Sequence, residues 1–504
     1  MRKPTLDSLA RFLWALTLVT LPVTSFRFLP FMGAGTFVRP LALYPLGLLL
    51  PILLYQIWTR RIARPWSGSL TILLAFTLTA LLATAFGSLL APIELRGQTY
   101  FDRALRAWVT LVIGSSFFLA AVWMNRNEDD LKFSLKWLLA GLVLHIVWGG
   151  IQAVGLQLGL RRELNEIQTL FSIRGLPRNR RIAGFAYEPS WLAGQLAALY
   201  LPWLFASLLA KFRVTKFKWL EAVLLLGALV TLLLTYSRGG LFITAVAVFL
   251  TFIVAGAEAR KDVWAWYRAG FSRGGGKSKW GRIQAAGSRA AVSLILIGAV
   301  IGAGIFLADK GYIAALWNSS AESLWDYVID AYLGPRVAYV AAAWEAFQSH
   351  PLTGVGLGAS GFRMYANMPD WALQGVPEIA QQLSPSSSLY PNPKNLYVRL
   401  LAEMGLPGFL LYLSFLFHLL AYALKGLQRA EPFWRFAGTA GFFSVVAIAA
   451  QGISQDSFAM PEMWINLGIL AGLVSFGLES KKSITPSPTL KGTRLPQGEG
   501  QETQ

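Results

Sequence analysis

Residues 68–91 read GSLTILLAFTLTALLATAFGSLLA, 24 consecutive positions without a charged side chain. Wound as a helix, such a run rises about 36 Å, enough to cross a hydrocarbon layer about 30 Å thick. It lacks the alternation over about 10 residues that marks a membrane β-strand. Working outward, apolar blocks of this kind recur to give about twelve spans, near 8–25, 41–58, 68–91, 105–124, 133–158, 188–210, 219–236, 241–257, 290–308, 406–424, 436–454 and 461–478. The first block has the length of a signal peptide, but no A-x-A-like site closes it and further blocks follow at once. It reads as a retained helix.

Composition supports this reading. Of 504 residues, 55% are hydrophobic and 14% charged, with a mean hydropathy of +0.49, against about 25% charged in an ordinary soluble domain. A soluble multidomain enzyme is excluded, and the expected fold is an all-α polytopic membrane protein. The chain has no cysteine, so it has neither a disulfide framework nor a thiolate ligand or nucleophile, and its three histidines are scattered. Lys plus Arg exceeds Asp plus Glu by 45 to 26, a net charge of +19. In a membrane chain this surplus points first to basic cytoplasmic loops and second to an anionic substrate or lipid headgroup, not to nucleic acid.

Arg2, Lys3 and Arg11 precede the first block, and Arg60, Arg61 and Arg64 separate the second and third. Lys211, Arg213, Lys216 and Lys218 follow the sixth, and Arg260, Lys261, Arg268, Arg273, Lys277, Lys279, Arg282 and Arg289 follow the eighth. With twelve spans all four segments face the cytoplasm, and so do both termini. The chain divides into N-terminal helices (1–185), a core (186–425), C-terminal helices (426–480) and a tail (481–504) expected to be disordered. On the outer side, the loop at 159–187 carries Arg161, Arg162, Arg174, Arg178, Arg180 and Arg181, against the positive-inside trend. A longer one, 309–405 between the ninth and tenth spans, is too apolar for a tether and is expected to hold helices of its own. Arg336 to Phe347 reads as one, with Val337, Val340, Ala341, Trp344 and Phe347 on its apolar face.

Three features could carry chemistry. Arg238 ends an apolar run in Thr235-Tyr236-Ser237-Arg238-Gly239-Gly240. A guanidinium there either snorkels to the interface or meets an anion, and the glycines would let the backbone turn sharply and approach a ligand. The second runs from Gly334-Pro335-Arg336 through Trp344 to His350-Pro351-Leu352-Thr353-Gly354-Val355-Gly356-Leu357-Gly358. Its glycines follow no strand and lack the Lys-Ser/Thr of a P-loop, which rejects nucleotide binding. His350 reads as a helix-end histidine in preference to a base. The third is Asn392-Pro393-Lys394-Asn395-Leu396-Tyr397, followed by Arg399, Glu403, Gly405, Pro407 and Gly408, where Gly405 to Gly408 break the helix. A lysine beside a helix start opposes the macrodipole. Such a position suits an amine kept partly neutral or paired with phosphate, with an ordinary solvated lysine as the other reading.

In this order the features resemble the O-antigen ligases and O-antigen polymerases of bacterial surface-polysaccharide assembly. Carrying the resemblance are R-x7-W-x5-HPLxGxG at 336–356, Ser237-Arg238-Gly239, and N-L-Y-x-x-x-L-x-E-x-G-x-x-G at 395–408. The resemblance implies a GT-C-like, inverting, metal-independent glycosyltransferase without cofactor, acting at the outer face of the plasma (inner) membrane. Its donor would be a glycan linked through pyrophosphate to a polyprenol such as undecaprenol. Its acceptor would be a glycan or glycolipid, with membrane lipid and other polysaccharide-assembly proteins as further partners. It assigns the diphosphate to two arginines, matched here by Arg238 and Arg336. Many relatives have His-Asn at Lys394-Asn395, so Lys394 is either the base or a third cation, and Asn392, Glu188 and His350 are the other candidates for orienting the acceptor. Arg181 and the Tyr187-Glu188-Pro189-Ser190 turn resemble elements of polymerase-type relatives, where they would hold donor sugars or a second lipid carrier; phospholipid contact is the alternative. The leading expectation is a polymerase joining repeat units. A ligase moving finished glycan to a lipid A-core is the near alternative, and a transporter or lipid-linked oligosaccharide flippase the distant one.

Overall fold

Helix starts along the chain are set by short polar side chains that accept from the first free backbone N–H groups. Thr5, Ser67, Asn127 and Ser237 do so singly, and Thr99 forms a reciprocal capping box with Asp102. The computed structural model describes residues 5–29, 37–61, 67–90, 94–177, 180–271, 279–308, 311–387 and 389–482. Within them the helices are α1 (Leu6–Thr20), α2 (Leu43–Trp58), α3 (Gly68–Ser88), α4 (Tyr100–Met124), α5 (Glu128–Gln157), α6 (Arg161–Phe171) and α7 (Pro189–Gln195). A π-helical turn (Leu196–Tyr200) joins α7 to α8 (Leu201–Ala210), and α9 (Lys218–Leu234), α10 (Arg238–Ala255), α11 (Ala257–Phe271) and α12 (Lys279–Ala308) follow. Six short helices come next: α13 (Gly311–Ala314), α14 (Leu324–Asp330), α15 (Gly334–Ser349), α16 (Ser360–Ala366), α17 (Asp370–Gly375) and α18 (Pro377–Leu383). The chain then forms α19 (Leu396–Leu427), α20 (Pro432–Gln451) and α21 (Ile465–Lys482).

Among the described residues there are no strands, only three isolated bridges. Each apolar block read from the sequence falls on a helix, and seven helices there are long and apolar enough to cross a membrane. Arg2, Lys3, Arg64, Arg178, Arg273, Lys277 and the tail beyond 482 lie outside the described residues.

At the centre α19 packs on α20 and α3, α21 on α4, and α20 on α8 and α10. Trp14, Phe117, Phe118, Trp203, Phe436 and Phe443 fill the main core. Polar side chains tie helices together inside it. The π-helical turn frees backbone carbonyls, and Asn466 of α21 uses two of them, donating to Ala198 O (2.8 Å) and Leu199 O (3.1 Å). Gln195 bridges His145 (2.7 Å) and the Leu21 carbonyl (2.9 Å).

Contacts between helix ends sort the bundle into two layers. At one end Arg11 pairs with Asp130, Lys211 with Asp262 and Arg435 with Glu258. At the other end Arg181 meets Thr235, Arg238 meets Ala331 and Lys394 meets Asp456. The six short helices α13–α18 belong to this second layer.

Two local expectations need correction. Helix α15 is present, but it buries Ala338, Tyr339, Ala342, Ala343 and Ala346, whereas Trp344 is 43% exposed. Its apolar aromatic face therefore points outward, because small alanines allow the closer approach to α16 and α19. At Thr235–Gly240 the sharp turn is made by Tyr236 (φ 46°), not by the glycines. Gly240 lies within α10, where a methyl group would come 2.3 Å from the Ala193 Cβ.

Candidate active site

Arg238 opens α10. Ser237 caps the helix by accepting from Gly240 N (3.3 Å), which fixes the direction in which the guanidinium leaves. Its Nη1 donates to the Ala331 carbonyl at 2.7 Å, at the end of α14. Five residues later, Arg336 in the first turn of α15 donates Nη1 to the Ser454 carbonyl at 3.0 Å. Ser454 also faces Gly239, since a methyl built there would lie 3.8 Å from the Ser454 hydroxyl. The two arginines thus lie on one side of the molecule and close around the segment that follows α20. Arg336 is solvent-exposed.

Lys394 stands in a left-handed turn (φ 53°) immediately before α19. Its backbone N–H donates to Asn392 Oδ1 (2.8 Å) and Asp456 Oδ2 (3.0 Å), which hold that turn. Its ammonium lies 3.7 Å from Glu378 and 5.0 Å from the centre of the Tyr339 ring. Burial pushes the Lys394 pKa below the usual lysine range; Glu378 opposes this, Arg336 adds to it, and Asp456 and Glu188 oppose it. The electrostatic reach of Arg336 and Glu188 to Lys394 places all three in one neighbourhood. Burial also raises the Tyr339 hydroxyl to about 12, so it stays a neutral wall of the site.

Asn395 has a different task. Its Oδ1 accepts from Tyr397 N (3.0 Å) and Val398 N (3.1 Å), so the side chain caps α19. Glu188 stands immediately before α7 without capping it, pairs with Arg174 at 3.1 Å and accepts from Ser190. Arg174 also lies over Tyr187, whose ring packs on Trp191 and Phe37. Arg181 donates Nε to Thr235 O at 2.8 Å, joining the arginine-rich loop to the start of the Arg238 turn.

His350 does not join this group. It ends α15, fourteen positions beyond Arg336, which puts about 21 Å of helix between their backbones. Its Nδ1 pairs with the Ser349 hydroxyl (2.9 Å), and burial followed by Arg363 lowers its pKa. The glycine loop after it is a packing device. Gly356 (φ 100°) leaves room for Tyr100, whose hydroxyl a methyl there would meet at 2.0 Å. The loop pairs with α19 through Val355 N to Ala402 O and Gly356 N to Glu403 O. Gly405 breaks α19 (φ 64°, ψ −169°), as the sequence suggested, and lets Leu406 N reach Pro351 O.

Sequence reasoning missed Asp456. It is buried, with its carboxyl pKa raised by desolvation, and it joins Lys394 to Arg399, whose Nη1 donates to its carbonyl. Arg399 in turn pairs with buried Glu403 at 3.0 Å, and Ser360 donates to the same carboxylate. The available signal was an acidic residue between two apolar blocks, in Gln455-Asp456-Ser457.

Fold and site together define a polytopic helical membrane protein with Arg238, Arg336 and Lys394 at one end of its bundle. Residues 222–413, which contain Arg238, Arg336 and Lys394, match the family described as O-antigen ligase, which supports the resemblance to the O-antigen ligases and polymerases. That family is associated with glycosyltransferase-like ligase or polymerase activity on lipid-linked glycans in a membrane. Among curated proteins, none matches the chain.

Proposed function

We propose that this chain is a polysaccharide polymerase of the multi-pass inner membrane, with twelve spans, cytoplasmic termini and an extracytoplasmic site. It moves a growing glycan from one polyprenyl pyrophosphate to the nonreducing end of a single repeat unit. An acceptor hydroxyl attacks the anomeric carbon, the bond from that carbon to the diphosphate oxygen breaks with inversion, and the hydroxyl proton passes to a base. The observation that carries this reading is the convergence of Arg238 and Arg336 around Ser454. Two preorganised guanidiniums there can take up charge as the diphosphate departs.

Lys394 is the base in this scheme. A free lysine, with a pKa near 10.4, is a poor base at neutral pH. Burial and the Arg336 charge favour its neutral form, and the Asn392–Asp456 bonds fix its position. Asn395 holds the helix from which that turn springs. Glu188, Tyr187 and Arg181 would contact donor sugars.

The ligase reading, transfer of finished glycan to a lipid A-core or another surface acceptor, is favoured by the description of the matched family. Purified protein incubated with a defined polyprenyl-pyrophosphate oligosaccharide, with and without chelator, separates the two. A ladder of lengthened chains supports the polymerase. No extension, but single transfer to an added lipid A-core, supports the ligase. Movement of substrate across liposomes without a new glycosidic bond removes both, and inhibition by chelator removes metal independence.

A further inference from the structure

A cavity of about 260 Å³ opens beside the Lys394 turn, between α4, α19 and the segment before α21. Asn392 and Asp456, which hold the Lys394 backbone, also form part of its wall, so the cavity adjoins the proposed reaction centre. Three arginines line it, yet they are not equivalent. Arg399 is committed to Glu403 and to the Asp456 carbonyl. Arg103 lies 3.8 Å over the Tyr390 ring and donates Nη1 to Gln98 at 3.2 Å. Neither its buried Nε–H nor the Tyr390 hydroxyl completes a well-aligned hydrogen bond. Arg106, three positions further along α4, shares its face and extends the charge to an exposed position.

A buried guanidinium whose hydrogen bonds are poorly aligned gains from a ligand or water that can accept from it. The remaining lining narrows the ligand. Trp191 and Phe37 give an aromatic rim suited to the apolar face of a sugar ring, and Asn392 and Ser360 offer hydroxyl partners. The committed Arg399–Glu403 pair leaves Arg103 and Arg106 as the cations able to meet an anion.

We propose that this cavity is a second substrate site, which binds a phosphate-bearing sugar of the acceptor glycan through Arg103 and Arg106. The assignment rests on the reading of the chain as a two-substrate glycosyltransferase. A membrane phospholipid headgroup presents the same phosphate chemistry; the aromatic and amide lining favours the glycan.

The test uses glucose 1-phosphate as probe on the full-length protein in detergent, read by hydrogen exchange in peptides covering 389–396 and 454–460. Protection is expected in the wild type and in Arg336→Gln. In Arg106→Gln the concentration for half-protection should rise about ten-fold or more. Arg106 is exposed, so its replacement should leave the fold intact, and unchanged exchange elsewhere in the chain checks this. Protection that survives Arg106→Gln, or its absence in the wild type at millimolar probe, overturns the assignment. So does protection by phosphatidylglycerol but not by glucose 1-phosphate. Binding is measured here without turnover. A protein that binds the probe as described but forms no glycosidic bond refutes the transferase reading alone.

Discussion

Replacing Arg336 by lysine keeps the positive charge and removes the planar fork. In the structure one guanidinium N–H is already spent on the Ser454 carbonyl at 3.0 Å. An arginine has five N–H donors, so the others remain to meet both oxygens of a phosphate group. A lysine has three donors on one nitrogen and a shorter reach, so it can keep Ser454 or meet the diphosphate, but not both well. Loss of one preorganised donor at a site of developing charge costs about 2.7–4 kcal/mol, or roughly 100- to 1,000-fold in rate. For Arg336→Lys we therefore expect kcat/KM to fall about 100-fold, mostly in kcat, because the charge grows towards the transition state. The assay is the initial rate of transfer from a synthetic lipid-linked oligosaccharide, at matched amounts of folded protein. A variant within about three-fold of wild type would refute the reasoning, since a point charge would then suffice.

Three other expectations follow from the same geometry. As a base Lys394 must be neutral, so transfer should rise with pH through its lowered pKa; Lys394→Arg should lose that limb, and a rate that instead falls with rising pH would make Lys394 a phosphate-binding cation. Gly405→Ala should destabilise the protein by about 2–4 kcal/mol, since a methyl group at φ 64° would lie 2.6 Å from the Leu352 carbonyl carbon and oxygen; an unchanged melting temperature in detergent would contradict this. Glu403→Leu should cost about 3–5 kcal/mol by leaving Arg399 buried without its partner, and Ser360→Ala only about 1 kcal/mol, both read by thermal unfolding.

The helices were legible because solid apolar runs such as 68–91 have few alternatives once the backbone must satisfy its own hydrogen bonds. Arg238 and Arg336 stood out for a related reason, as guanidiniums next to apolar helical segments. What depended on packing was not legible. The buried face of α15 is built from alanines, and a pattern search that weights large side chains assigns the face to Trp344 and Phe347. The turn before Arg238 looked like work for glycine, but Tyr236 makes it and Gly240 serves the contact with Ala193. Contacts across the chain were also out of reach. Asp456 lies more than fifty residues beyond Lys394 and meets it only because α19 and α20 form an antiparallel pair, and Ser454 meets Arg336 across a still longer separation. Asn395 stood out only as part of the Lys394-Asn395 motif, and its cap on α19 is a contact that the sequence did not display.

The central claim is that Arg238 and Arg336 hold one diphosphate between them. Its most direct test is a double-mutant cycle on the binding of a lipid-linked diphosphate sugar to the wild type, Arg238→Gln, Arg336→Gln and the double variant. Two guanidiniums on one ligand group should show a coupling of about 0.5–3 kcal/mol, with each single variant already binding weakly. Losses that add to within about 0.5 kcal/mol, or a single variant that binds like wild type, would mean that the two arginines do not share the diphosphate.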